Sequence, residues 1–204
     1  MKSKLRYARF TFMFTGIIRF IGEVKKISED SKIKTFSILC EELNSQLGDS
    51  IAINGVCLTV SSKNGSNYTF DVVFETLSHT TLGEFTEGQK VNIEKSLTLQ
   101  SGIDGHLVTG HVDAVATLSK IHKNGKNLAL TVYFPKILKK FIAEKGSVTL
   151  NGVSLTVTKI SANSLTVTVV PHTVYNTTFN NTKIGDHINL EVDVIARYVY
   201  NMAI

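Results

Sequence analysis

Short stretches in which apolar and β-branched residues alternate with polar ones dominate this chain, and Gly, Asn, Asp or Ser bounds most of them. A period of two is the mark of half-buried strands. It predicts strands at 17–27, 34–39, 50–53, 57–63, 67–73 and 90–94, then at 112–122, 128–134, 147–150, 154–160, 164–169 and 187–192. Asn54-Gly55, Asn64-Gly65 and Asn151-Gly152 fall between such runs, where a two-residue turn needs positive φ. Helical spacing is confined to a few places. Ile137, Leu138, Phe141 and Ile142 recur at helical intervals within 135–144, and a matching short helix is expected in the first half. In the tail, Val194, Ile195, Tyr198, Val199 and Met202 form an apolar stripe. A lone helix this short is marginal in water, so it must pack on its own domain or on another subunit.

The pattern occurs twice. The segment 48–60, GDSIAINGVCLTV, returns at 145–157 as KGSVTLNGVSLTV. A constant spacing carries Thr59 to Thr156, Thr76 to Thr173, Thr80 to Thr177, Gly88 to Gly185, Asn92 to Asn189 and Glu94 to Glu191. Roughly a third of the paired positions are identical, and the unit is the size of a small domain, too long for a solenoid repeat. The expected fold is therefore all-β: two tandem six-stranded antiparallel β-barrels related by internal duplication, plus a short C-terminal α-helix. The expected boundaries are an N-terminal extension at 1–12, barrels at 13–101 and 102–193, and a helix at 194–204 that serves oligomerisation. Thr15-Gly16 and Thr109-Gly110 precede the first strand of each barrel, and a linker falls near 100–104.

Charge and cysteine content narrow the class. The net charge of +5 is spread along the chain without a basic stripe interleaved with aromatics, so nucleic acid is not an expected partner. No apolar run approaches a membrane span. Cys40 and Cys57 are too few for a disulfide framework and suit a reducing cytoplasm. Residues 1–12 carry Lys2, Lys4, Arg6 and Arg9 with no acid, as a targeting segment would, but the expectation is a disordered extension or an upstream start outside the fold, and without a secretory signal the sequons at Asn67 and Asn176 carry no weight.

Alternation places Cys57 and Thr59 on one face of a strand, with Leu58 and Val60 on the other; Ser154 and Thr156 repeat this against Leu155 and Val157. A thiol and hydroxyls there can hydrogen-bond a polar heterocycle without introducing charge. The most polar cluster is DGHLVTGHVD at 104–113. Its two histidines, with an acid nearby, have the look of a metal site, but no third ligand accompanies them and the flanking glycines suit close backbone approach. The first half has Ile17 opposite His111, so the halves are similar but not equivalent. They also diverge at Cys57/Ser154, Gly48/Lys145 and Ser96/Asp193. Asp193 is read either as a proton acceptor or as a helix cap. No Ser-His-Asp triad, P-loop or dinucleotide fingerprint is evident.

Together MFTGII at 13–18, NGVCLTV at 54–60, GHLVTGHVD at 105–113, NGVSLTV at 151–157 and NLEVDV at 189–194 resemble riboflavin synthase of the alpha-chain type. The resemblance runs from Met13 to the C-terminus. It implies a homotrimer of two-barrel subunits, with each active site between the N-barrel of one and the C-barrel of another, and lumazine synthase as a protein partner. It implies that two molecules of 6,7-dimethyl-8-ribityllumazine exchange a four-carbon unit, giving riboflavin and 5-amino-6-(D-ribitylamino)uracil, with no cofactor and no metal. By motif position it places Phe14 and Gly16 near the reacting pair. Ser50, Cys57, Thr59, Thr76 and Gly110 then line one site; Lys145, Ser154, Thr156 and Thr173 line the other. His111, Ser154, Asp193, Cys57 and Phe14 are the catalytic candidates. The rival within the same fold is a protein that holds a lumazine or flavin without converting it. Such proteins tend to lose polar residues in the second half, whereas this chain keeps Cys57, His106, His111, Ser154 and Thr156. A reductase flavin barrel would need a nucleotide domain that these residues do not supply.

Overall fold

A computed structural model describes residues 13–30 and 33–203; the extension expected at 1–12 lies outside the described residues. The first barrel is built from β1 (Phe20–Glu29), β2 (Ile33–Leu39), β3 (Ser50–Ile53), β4 (Val56–Asn64), β5 (Asn67–Val73) and β6 (Lys90–Lys95). The second uses β7 (Ala114–Asn124), β8 (Asn127–Tyr133), β9 (Ser147–Leu150), β10 (Val153–Ile160), β11 (Ser164–Val169) and β12 (His187–Val192). Each sheet is antiparallel and closes on itself, in the order β1-β2-β5-β4-β3-β6 and in the equivalent order for the second half. Closure removes exposed strand edges. Bulges between Val24 and Lys26 and between Val60 and Ser62 recur between Leu118 and Lys120 and between Val157 and Lys159, supplying the bends a small barrel needs.

Alternation decides what fills the barrels. Val56, Leu58 and Val60 are buried while Thr59 is exposed, and β10 repeats the pattern with Val153, Leu155 and Val157. One apolar cluster fills each barrel, around Phe36, Phe70 and Ile93 in the first and Leu118, Leu130 and Leu190 in the second. A small third cluster of Phe14, Ala52 and Val108, with Cys57 against it, sits where the barrels meet.

Several expectations need correction. Segment 41–49, expected to hold a helix, is a series of turns, because Asn44 (φ +37°) and Gly48 (φ +87°) adopt left-handed backbone that breaks a helix. Its counterpart in the second half is a 3-10 helix, Lys136–Phe141. Two short helices were not anticipated, α1 (Phe74–His79) and α2 (Pro171–Tyr175), each followed by a 3-10 turn capped by Thr80 or Thr177. The turn after β4 is Gly65-Ser66 rather than Asn64-Gly65.

The tail is α3 (Val194–Met202), and no residue of it is buried. It rests on the second barrel through an edge-to-face contact of Tyr200 with Phe141 and an ion pair of Arg197 with Asp113. Asp113 also accepts the Val192 amide, so its task is to fasten α3. Ile195, Tyr198, Val199 and Met202 remain exposed.

Candidate functional site

The barrels meet about a local pseudo-twofold. Phe14 and Val108, both fully buried, exchange backbone hydrogen bonds of 2.8 and 3.0 Å. The segments around them cross to the opposite barrel. The Gly16 carbonyl accepts the Ser154 amide (2.8 Å), and the Gly110 carbonyl accepts the Cys57 amide (2.9 Å). Both glycines have positive φ, and a β-carbon on either would lie within 3 Å of Ser154 or Cys57. Only glycine fits there.

Around Cys57 the structure brings together Thr76 from α1, Gly110 and His111 in a cleft of about 310 Å³. Ser50, buried on β3, pairs with Thr59 of β4 and so stands on the same face as the Cys57 thiol, and Thr59 continues that face into solvent. Burial pushes the Cys57 thiol above its ordinary range, and the Glu191 carboxylate adds to that, so the group is a neutral thiol. His111 is exposed and contacts this cleft rather than Ser154.

Around Ser154 a different set assembles. Its Oγ lies 2.8 Å from Nδ1 of His106, a hydrogen bond that sequence reasoning did not assign. Burial lowers the His106 pKa while the Asp193 carboxylate pulls it upward, and burial prevails; the ring is neutral at neutral pH. Its Nε2 is buried and has no hydrogen-bond partner among the described residues. The histidine next to Ser154 is thus the first of the two in GHLVTGH. The signal was Gly105, whose added β-carbon would lie 2.1 Å from the Thr15 carbonyl, marking the tightest crossing in the segment. Thr156 lies further along β10, exposed, and Thr173 is half-buried on α2. Lys145 is exposed at φ +66°, where the first barrel has Gly48 at φ +87°. A lysine there carries about 1–2 kcal/mol of backbone strain. Asp193 Oδ1 accepts the Ile195 amide (2.9 Å) and caps α3, so the cap reading holds while its charge still reaches His106.

A second cleft, of about 610 Å³, is lined by Arg19, Lys90, His172 and Tyr175 among others and by none of the expected site residues. Among the described residues no three His, Cys, Asp or Glu side chains converge as a metal site requires. No helix there is long and apolar enough to cross a membrane.

Two closed barrels in tandem, each presenting a thiol or hydroxyl strand face beside a crossing Thr-Gly segment, define a duplicated small-ligand fold, and the comparisons agree. The lumazine binding domain model matches twice, at 15–96 and 109–193. Riboflavin synthase of Photobacterium phosphoreum is 42% identical over 190 residues, spanning 92% of this chain and 87% of the relative. Riboflavin synthase of Bacillus subtilis is 36% identical over 190 residues, spanning 92% and 88%. Among solved structures, LumP complexed with riboflavin superposes with a TM-score of 0.82 at 26% identity, covering 88% of this chain and 98% of that one. LumP complexed with 6,7-dimethyl-8-(1'-D-ribityl) lumazine gives 0.80 with the same identity and coverage. The chain belongs to the riboflavin synthase family of tandem lumazine-binding barrels.

Proposed function

We infer that this protein is a riboflavin synthase, a transferase that dismutates two molecules of 6,7-dimethyl-8-ribityllumazine into riboflavin and 5-amino-6-(D-ribitylamino)uracil. The observation that carries the reading is the pair of matched but unequal clusters. Cys57 faces the His111 cleft in one barrel; Ser154 is bonded to His106 in the other. Identical molecules held in unlike surroundings can take unlike roles, one giving and one receiving the four-carbon unit. Holding both in register is the largest contribution, since oriented reactants gain up to about 10⁵–10⁸ M in effective concentration.

Within that frame Ser50, Cys57, Thr59, Thr76 and Gly110 serve one bound heterocycle, and Gly16, Lys145, Ser154, Thr156 and Thr173 serve the other, while Phe14, fully buried in the seam, holds the two sites in register. His111, Ser154 and Asp193 move protons or assist nucleophilic addition, with His106 orienting Ser154. The non-catalytic alternative is disfavoured by the higher identity to riboflavin synthases than to LumP and by the intact Ser154–His106 pair. A homotrimer is proposed on the exposed apolar stripe of α3, with each active site between barrels of different subunits. The resemblance adds lumazine synthase as a candidate protein partner. A cytoplasmic setting fits the two free cysteines.

The test is to incubate the purified protein with 6,7-dimethyl-8-ribityllumazine alone and follow riboflavin by absorbance. Riboflavin is expected to accumulate without any added cofactor; tight binding with no riboflavin would establish a carrier instead. Asp193→Asn keeps an oxygen for the cap while removing the charge. It is expected to lower turnover and leave the melting temperature unchanged. A melting temperature that falls in step with activity would make Asp193 a cap and nothing more.

A further inference from the structure

Two carboxylates that sequence reasoning assigned no task lie buried beneath these sites. Glu94, on β6, is 5% exposed, and Glu191, on β12, is 3% exposed. Neither forms an ion pair among the described residues. Glu94 accepts the Thr15 amide (2.8 Å) and hydroxyl (2.9 Å) on Oε1 and the Gly16 amide (3.0 Å) on Oε2. Glu191 does the same with the Thr109 amide (2.7 Å), the Thr109 hydroxyl (2.6 Å) and the Gly110 amide (3.0 Å). Burying a carboxylate is unfavourable unless hydrogen bonds offset it, and here three donors from one Thr-Gly dipeptide do so; an apolar residue in either place would leave those donors unpaired.

What these carboxylates hold does not stay in their own barrel. Thr15-Gly16, clamped by Glu94, offers its Gly16 carbonyl to the Ser154 amide and its Thr15 carbonyl to the His106 amide (3.2 Å). Both members of the Ser154–His106 pair are therefore anchored to one clamped dipeptide. Thr109-Gly110, clamped by Glu191, offers its Gly110 carbonyl to the Cys57 amide. Independently, the Glu191 charge is felt at the Cys57 thiol.

We propose that Glu94 and Glu191 are positioning residues wired crosswise: Glu94 of the first barrel sets the geometry at Ser154 of the second, and Glu191 of the second sets the geometry at Cys57 of the first. The proposal rests on the reading that Ser154 and Cys57 face the two substrates. Its consequence is that neither barrel is self-sufficient, because the Thr-Gly clamp under each site belongs to the other. Each carboxylate uses both oxygens as acceptors. Glutamine offers one oxygen and one NH2 group, so the Gly16 or Gly110 amide would meet a donor and the dipeptide would shift.

The experiment uses the full chain. Backbone amide resonances of Ser154 and Cys57 are compared in Glu94→Gln and Glu191→Gln, with kcat and KM measured alongside. Glu94→Gln is expected to move the Ser154 resonance more than that of Cys57, and Glu191→Gln the reverse. In double-mutant cycles, Glu94→Gln with Ser154→Ala should cost about as much turnover as the worse single change. Glu94→Gln with Cys57→Ala should multiply the two losses, as independent sites do. If the glutamine variants fail to fold, Thr15→Val and Thr109→Val remove one hydroxyl donor each and are read the same way. Equal movement of both amides in both variants, or coupling to the residue of the same barrel, overturns the crosswise wiring. Crosswise amide shifts combined with full activity in Ser154→Ala and Cys57→Ala would uphold the wiring and overturn the placement of the reaction.

Discussion

His106 shows how one buried ring can mark a site. Its Nδ1 is committed to Ser154 and its Nε2 is shielded from water, so protonation has nowhere favourable to go. In the unfolded chain the same ring titrates near 6.5; in the fold its pKa lies lower. Between those two values the unfolded state binds more protons than the native state. The stabilising contribution is therefore full above 6.5 and is lost as pH falls below it. His106→Gln is expected to lessen the drop in urea midpoint between about pH 7 and about pH 5. An unchanged slope would mean that the ring titrates alike in the folded and the unfolded chain. The motif at 105–111 announced two histidines but not which one meets Ser154, because that choice depends on how the segment crosses the opposite barrel. Glu94 and Glu191 were visible only as a matched pair. Their clamps join residues 79 and 82 positions apart, which no local spacing encodes.

At the scale of elements, the strands were legible in two ways: alternation marked those with one buried face, such as β4 and β10, while β3, β6, β9 and β12, buried on both faces, were legible as short β-branched runs bounded by turn residues. The short helices were less legible. Phe74–His79 and Pro171–Tyr175 are six and five residues long, too short to show a periodic face, and both follow a strand directly. The Asn-Gly turns were legible because their backbone demands it: Asn54 and Asn151 have φ of +44° and +48°, and the glycines after them have φ of +79° and +78°. For α3 the stripe was legible but its partner was not. Tyr200 and Arg197 engage the barrel, while Tyr198 and Val199 stay 67% and 60% exposed. Such a face is expected to meet its equivalents in a trimer. Val199→Asp should convert a three-chain sedimentation mass to one chain and leave the barrel fold intact by circular dichroism. A wild-type protein that sediments as a monomer would remove that role from α3.

At the scale of the whole molecule, the duplication creates an interface as well as two sites. Asn92 Nδ2 donates to the Asn151 carbonyl and Asn189 Nδ2 to the Asn54 carbonyl, each at 2.9 Å, while their Oδ1 atoms accept the Thr178 and Thr81 amides at 2.8 Å. These reciprocal bonds are buried, so each is satisfied only while the barrels stay docked. Gly55 and Gly152 abut backbone to backbone at the same seam, where a β-carbon on either would fall within 3 Å of the other. The seam is symmetric, and the chemistry placed on it is not: a thiol beside an exposed histidine on one side, a hydroxyl bonded to a buried one on the other. That combination suits a reaction whose two substrates are the same molecule in two roles. The most direct test is the mass balance of the reaction with 6,7-dimethyl-8-ribityllumazine as sole reactant. Two lumazines consumed for each riboflavin formed, with one 5-amino-6-(D-ribitylamino)uracil released, is the expected result. One lumazine consumed per riboflavin, or a requirement for a separate four-carbon donor, would contradict it.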